Sequence, residues 1–179
     1  MTQPAEPMSW FTKTELRTSF LRIEEIRKSG ILSDAGLTNP LFKSAVIELL
    51  IYINDLMQKA DAHGQRIAVT DHLPDNVALR DVTELIAKCR DAACHVSAGL
   101  EFFERNKFSF ALAVGKVPEA VVIDGKAMGC DFDDDVAIFF GAYRLYLRRN
   151  LLDGYTLAVR ALQSMFDLQT PPRSGPAAP

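Results

Sequence analysis

A chain of 179 residues, 48% apolar and 24% charged, suits one globular domain with a substantial core. Its formal charge of −3 and pI near 5.6 exclude a global basic footprint for nucleic acid and leave room only for a local patch. Three cysteines, Cys89, Cys94 and Cys130, are odd in number and too sparse for a disulfide framework, so free thiols in a reducing cytoplasm are expected.

The first residues, Met1 to Trp10, contain proline and lack the positive-then-apolar pattern of a signal peptide, so 1–10 reads as a flexible N-terminus. A first helix is expected from about Thr12 to Lys28, with Leu16, Phe20, Ile23 and Ile26 at helical spacing and Gly30 as its stop. A second, longer helix follows. Asn39 and Pro40 suit its start, and a broad apolar stripe from Leu41 to Met57 carries it to about Ala62. That stripe is interrupted by Glu48, Asn54 and Asp55 and is too short to span a bilayer. Residues 64–76 read as a loop with a brief extended segment.

The third helix is expected over about Asn76 to Ala98, with Val82, Leu85, Ile86, Cys89, Ala93 and Val96 on one stripe. After it the period changes. Phe108 to Cys130 is rich in β-branched and aromatic residues, with Asp124-Gly125 as a tight turn, and reads as a small antiparallel β-hairpin or meander inserted at about 108–130. Asp131, Asp133, Asp134 and Asp135 are then expected to cap a helix over 134–150. Its core residues would be Val136, Phe139, Phe140, Tyr143 and Leu147. A further helix over 154–168 follows Gly154, either separate from the preceding one or joined to it by a kink. The tail from Gln169, ending TPPRSGPAAP, is expected to be disordered. The sum is a mainly α fold: one domain over 11–168, a bundle of four to five helices with a β insertion.

The chemistry concentrates on the third helix. With the apolar stripe turned inward, Asp91 and His95 fall one turn apart on the opposite face and Arg90 lies on the flank. An arginine fork can hold a phosphate and its developing charge, and a histidine exchanges protons near neutral pH. Spacing alone is weak, because Arg66 and His72 repeat it inside a loop. A second candidate is the basic set Arg144, Arg148 and Arg149, which on the expected helix would follow an i, i+4 face able to meet an RNA backbone; the plainer reading is a solvated helix face. Cys89, Cys94, His95 and Cys130 lack paired ligand spacing, and Asp-Phe-Asp-Asp-Asp has no calcium-loop glycine, so neither a metal nor another cofactor is expected.

Arg90-Asp91-Ala92-Ala93-Cys94-His95 resembles the R-x4–6-H motif of the HEPN superfamily, whose arginine is usually followed by a polar residue. The resemblance implies an all-α bundle over about 12–168 and a homodimer with two motifs facing one cleft. It implies a metal-independent endoribonuclease of the toxin or phage-defence type, with Arg90 and His95 catalytic and Asp91 supporting. RNA would be the substrate and an antitoxin or defence protein a partner. The alternative is a non-catalytic helical module that binds a partner or a nucleotide.

Overall fold

The computed structural model describes residues 9–94, 110–123 and 126–163, together with the backbone of two short strands at 102–103 and 106–107; of residues 122, 123 and 126 it describes the backbone alone. Of the flexible N-terminus expected over 1–10, residues 9 and 10 instead begin the first helix; residues 1–8, the tail expected over 169–179, and His95 lie outside the described residues.

Helix α1 spans Trp10–Lys28 and begins two residues earlier than the apolar spacing implied, because Ser9 caps it by accepting the Thr12 amide at 3.1 Å. Helix α2, Phe42–Ala62, is the central element. Its wide stripe buries Val46, Leu49, Leu50, Ile53 and Met57 completely, and it packs on α1, on α3 (Val82–Cys94) and on α4 (Asp153–Gln163). An extended segment at 66–69 is tied to the start of α3, with the Val82 amide donating to the Val69 carbonyl and Thr83 Oγ1 to the Ile67 carbonyl.

The mainly α expectation is overturned by residues 111–146, which make the fold α+β. Strands β1 (Phe102–Phe103) and β2 (Asn106–Lys107) pair with each other. Strand β3 (Ala111–Val114) joins β6 (Val136–Phe140) and β7 (Tyr143–Tyr146) in an antiparallel sheet of order β3-β6-β7. Strands β4 (Val117–Ile123) and β5 (Lys126–Cys130) form the expected hairpin, with Ile123 opposite Lys126. The expected helix over 134–150 therefore does not exist.

Its apolar residues are buried for a different reason. Val136, Ile138 and Phe140 face the helices, while Ala137 and Phe139 face a second cluster with Met128, Cys130 and Tyr146 under the hairpin. A strand covered on both faces has no polar alternation to betray it. Gly141, at φ +57°, makes the two-residue connection that pairs Phe140 with Tyr143, and glycine takes that conformation without a Cβ clash.

The last helix is continuous. It opens as a π-helical stretch over Leu147–Leu152 and runs on as α4, so the separate helix expected from residue 154 is the continuation of one that starts at 147. Gly154 is no break here. A Cβ at that position would stand 2.7 Å from Met57 Cε, so the glycine lets α4 approach α2 closely.

One buried ion pair locks the loop before α3. Asp81 is almost fully buried and accepts from Arg66 Nε at 2.7 Å and Nη2 at 2.9 Å, while its Oδ1 also caps α3 through the Glu84 amide. Arg66 is bound on its other side by Asp61. Burial alone would raise the Asp81 carboxyl, but the hydrogen bonds from Arg66 and the Glu84 amide, with the charges of Arg66 and Arg80, together outweigh it and hold the group below the usual range. A depressed folded-state pKa adds stability that is complete above the unfolded value of about 3.9 and is lost as pH falls through the folded value. Asp81→Asn is therefore predicted to cost about 3 kcal/mol at neutral pH and to flatten the acid limb of the stability profile below about pH 4, as read by chemical denaturation across pH.

Candidate functional site

Helix α3 buries Val82, Leu85, Ile86 and Cys89 as the sequence predicted, but further along it buries Ala92 and leaves the expected Ala93 half-buried. Arg90 and Asp91 sit on its flank, each about one-third exposed, with Arg90 Nη2 3.1 Å from Asp91 Oδ1. The carboxylate meant to orient a histidine thus already neutralises the neighbouring guanidinium. Arg90 Nε is buried and has no hydrogen-bond partner among the described residues. Burial pushes the Cys89 thiol on the same helix up, which leaves it inert as a nucleophile.

The structure does not bring Arg144, Arg148 and Arg149 onto one helix face. Arg144 is on strand β7, where Nη1 donates to the Gly129 carbonyl and the Asp131 carboxylate, each at 3.3 Å, and the guanidinium lies over the Tyr146 ring. Arg149 donates to Asp134 at 2.8 Å and Asp135 at 3.0 Å and stacks 3.7 Å above Phe132. Of the three, Arg148 alone is exposed.

The acidic run has a structural use as well. Asp135 is fully buried and accepts four hydrogen bonds: from the amides of Val136 (2.8 Å), Arg148 (2.9 Å) and Arg149 (3.2 Å), and from Arg149 Nη1. It does cap a helix, but the one that starts at Leu147 after two intervening strands. Tyr146 donates to Asp131 at 2.6 Å, and burial followed by that carboxylate pushes its phenol up. The second Arg/His spacing is scattered: Arg66 is spent on Asp61 and Asp81, while His72, at φ +62°, stands edge-on to Phe132 and Tyr146.

The most prominent unspent surface belongs to α1 and α2. Trp10 is 78% exposed, Phe11 64% and Leu21 51% on α1, and Ile51 is 43% exposed on α2. Phe11 and Ile51 flank a groove of about 370 Å³ lined also by Thr14, Thr18 and Tyr52. Beneath it, Lys59 holds Asp55 at 2.6 Å and Glu15 at 3.3 Å, and Ser19 donates to Asp55 at 3.1 Å, so its polar groups are satisfied internally. Sequence reasoning passed over this surface because it assigned Trp10 to the flexible start and read α1 only for its inward stripe. The available signal was a second apolar spacing, Trp10, Phe11 and Leu21, on the opposite side of that helix.

No protein-family model, curated protein or solved structure matches this chain. Among the described residues, no helix is long and apolar enough to cross a membrane.

The cap at Asp135 yields a direct test. Asp135→Ala removes the acceptor of the Val136, Arg148 and Arg149 amides and leaves Arg149 with Asp134 alone, and is expected to cost about 3–5 kcal/mol in denaturant unfolding. Arg148→Ala, at an exposed position, is expected to stay within about 0.5 kcal/mol of the parent.

Proposed function

We propose that this protein is a non-catalytic interaction module whose working surface is the outer side of α1 and α2. The observation that carries this reading is the groove bordered by exposed Phe11 and Ile51, with Trp10 exposed at the start of the same helix, on a molecule whose charged clusters mostly close on themselves. Large aromatic side chains left in water beside a groove are characteristic of binding surfaces, and tryptophan is over-represented among the residues that dominate interface energies. The cytoplasm suits such a module, since Cys89, Cys94 and Cys130 are all free thiols.

One observation favours a second reading, the metal-independent endoribonuclease. The buried, unpartnered Nε of Arg90 is a donor that a phosphate oxygen would satisfy, in the one stretch that resembles the HEPN motif. In that reading Arg90 binds the scissile phosphate, His95 transfers protons and Asp91 positions the pair. The fold argues against it, because the all-α bundle that accompanies the motif is replaced here by an α+β arrangement.

Two measurements on the full chain separate them. The docking surface predicts that dilute native protein enhances the fluorescence of the apolar dye anilinonaphthalene sulfonate. Phe11→Glu and Ile51→Glu should remove most of that signal while the circular dichroism stays native. A dye signal absent from the parent, or indifferent to both substitutions, defeats the docking reading. In an RNA-cleavage assay with chelator present, the same reading predicts no cleavage. Cleavage by the parent that Arg90→Ala and His95→Ala both abolish decides for the nuclease.

A further inference from the structure

Helix α1 carries five cations against three carboxylates, on a chain whose formal charge is −3. All three carboxylates are paired within the molecule. Glu15 meets Lys59 of α2 at 3.3 Å, Glu24 meets Arg27 at 2.6 Å and also accepts from Tyr155, and Glu25 meets Arg22 at 2.8 Å. Lys13 and Lys28 are exposed and make no ion pair among the described residues. The charge that α1 shows to its surroundings is therefore positive, on a protein that is acidic as a whole.

Position adds to charge. Trp10, Leu21 and Lys28 are spaced by about three and then about two helical turns, so they fall on one line along α1, away from the buried Leu16, Ser19 and Ile23. Lys13 lies on one flank of that line and Phe11 on the other, beside the groove with Ile51. Thr14 and Thr18 spend their hydroxyls on the carbonyls of Trp10 and Thr14, both at 3.0 Å. Trp10 stands outside the groove, on the convex side of the helix. A folded partner would need a matching pocket for so proud a ring. A lipid headgroup layer needs none, because it is fluid, and it is where indole rings settle. Anionic headgroups also supply the counter-charge that Lys13 and Lys28 lack. Glu25 falls on the same side, but the headgroup layer is hydrated and its pair with Arg22 stays in water there.

We infer that α1 docks on an anionic lipid surface, lying along it with Trp10 and Phe11 sunk into the headgroup layer and Lys13 and Lys28 against the headgroup anions. The inference rests on the docking reading above and names its partner. The contact is peripheral: the helix lies on the bilayer and does not cross it.

The test is cosedimentation of the full chain with sucrose-loaded vesicles of phosphatidylcholine, with and without phosphatidylserine. The expected result is binding to the mixed vesicles that is roughly tenfold weaker on phosphatidylcholine alone and that weakens as salt is raised. Trp10 emission should shift to shorter wavelength on the mixed vesicles, and lipids brominated in the acyl chain should quench it. Lys13→Glu should weaken binding roughly tenfold with native circular dichroism. Lys116→Glu makes the same charge change on the exposed turn between β3 and β4 and should leave binding unchanged, because the surface potential is screened within about 8 Å. Binding that is equal on both vesicle types, that is indifferent to Lys13→Glu, or that leaves Trp10 unshifted overturns the proposal. Absence of binding to either vesicle also overturns it. If dye binding at Phe11 and Ile51 then persists, the face takes a different partner, an acidic polypeptide where polyglutamate binds instead. If dye binding is absent too, the docking reading falls with it.

Discussion

The fold turns on one buried carboxylate. Asp135 sits where the chain enters strand β6, and its two oxygens reach across to the amides of Arg148 and Arg149 at the start of the last helix. A charge that far from water persists only if it is saturated with donors, and here four are supplied. The requirement fixes three things together: the start of β6, the end of β7 and the origin of the helix that follows. It also accounts for Arg149, whose guanidinium neutralises Asp135 and Asp134 while covering Phe132. Asp81 plays the same part before α3, with Arg66 as its counter-ion. Two buried aspartates thus set the positions at which α3 and the last helix begin.

Much of the helical layer was legible in the sequence. The α2 stripe is wide because α1, α3 and α4 all pack on it, and stripe width can be read without coordinates. The hairpin 117–130 was legible too, since Asp124-Gly125 between β-forming runs is a local signal. What failed was the stretch from Val136. Phe139, Phe140, Tyr143 and Leu147 fit a helical period by coincidence, while β6 is buried on both faces and so carries no alternation. The discriminating residue was Gly141, whose positive φ makes the turn between β6 and β7. It lies in the middle of the expected helix, where a glycine costs about 1 kcal/mol relative to alanine.

The candidate site divides in the same way. The flank position of Arg90 followed from helix geometry, while Asp91, expected opposite the core stripe, shares that flank and pairs with it, because spacing says nothing about which neighbour a guanidinium chooses. The basic set Arg144, Arg148 and Arg149 was drawn on a helix that does not exist, and two of its members pair with the acidic run, of which only Asp135 is buried. The exposed apolar residues of α1 went unread because Trp10 was assigned to the flexible start and the helix was read only for its inward stripe.

The chain carries a single tryptophan, and it lies on the face in question. Fluorescence of Trp10 during titration with anilinonaphthalene sulfonate therefore tests directly whether that face is the working surface. The account predicts that the indole emission is quenched by energy transfer as the dye signal rises, and that Phe11→Glu and Ile51→Glu relieve the quenching. An indole emission that is unchanged at saturating dye, or quenched equally in both variants, would contradict it.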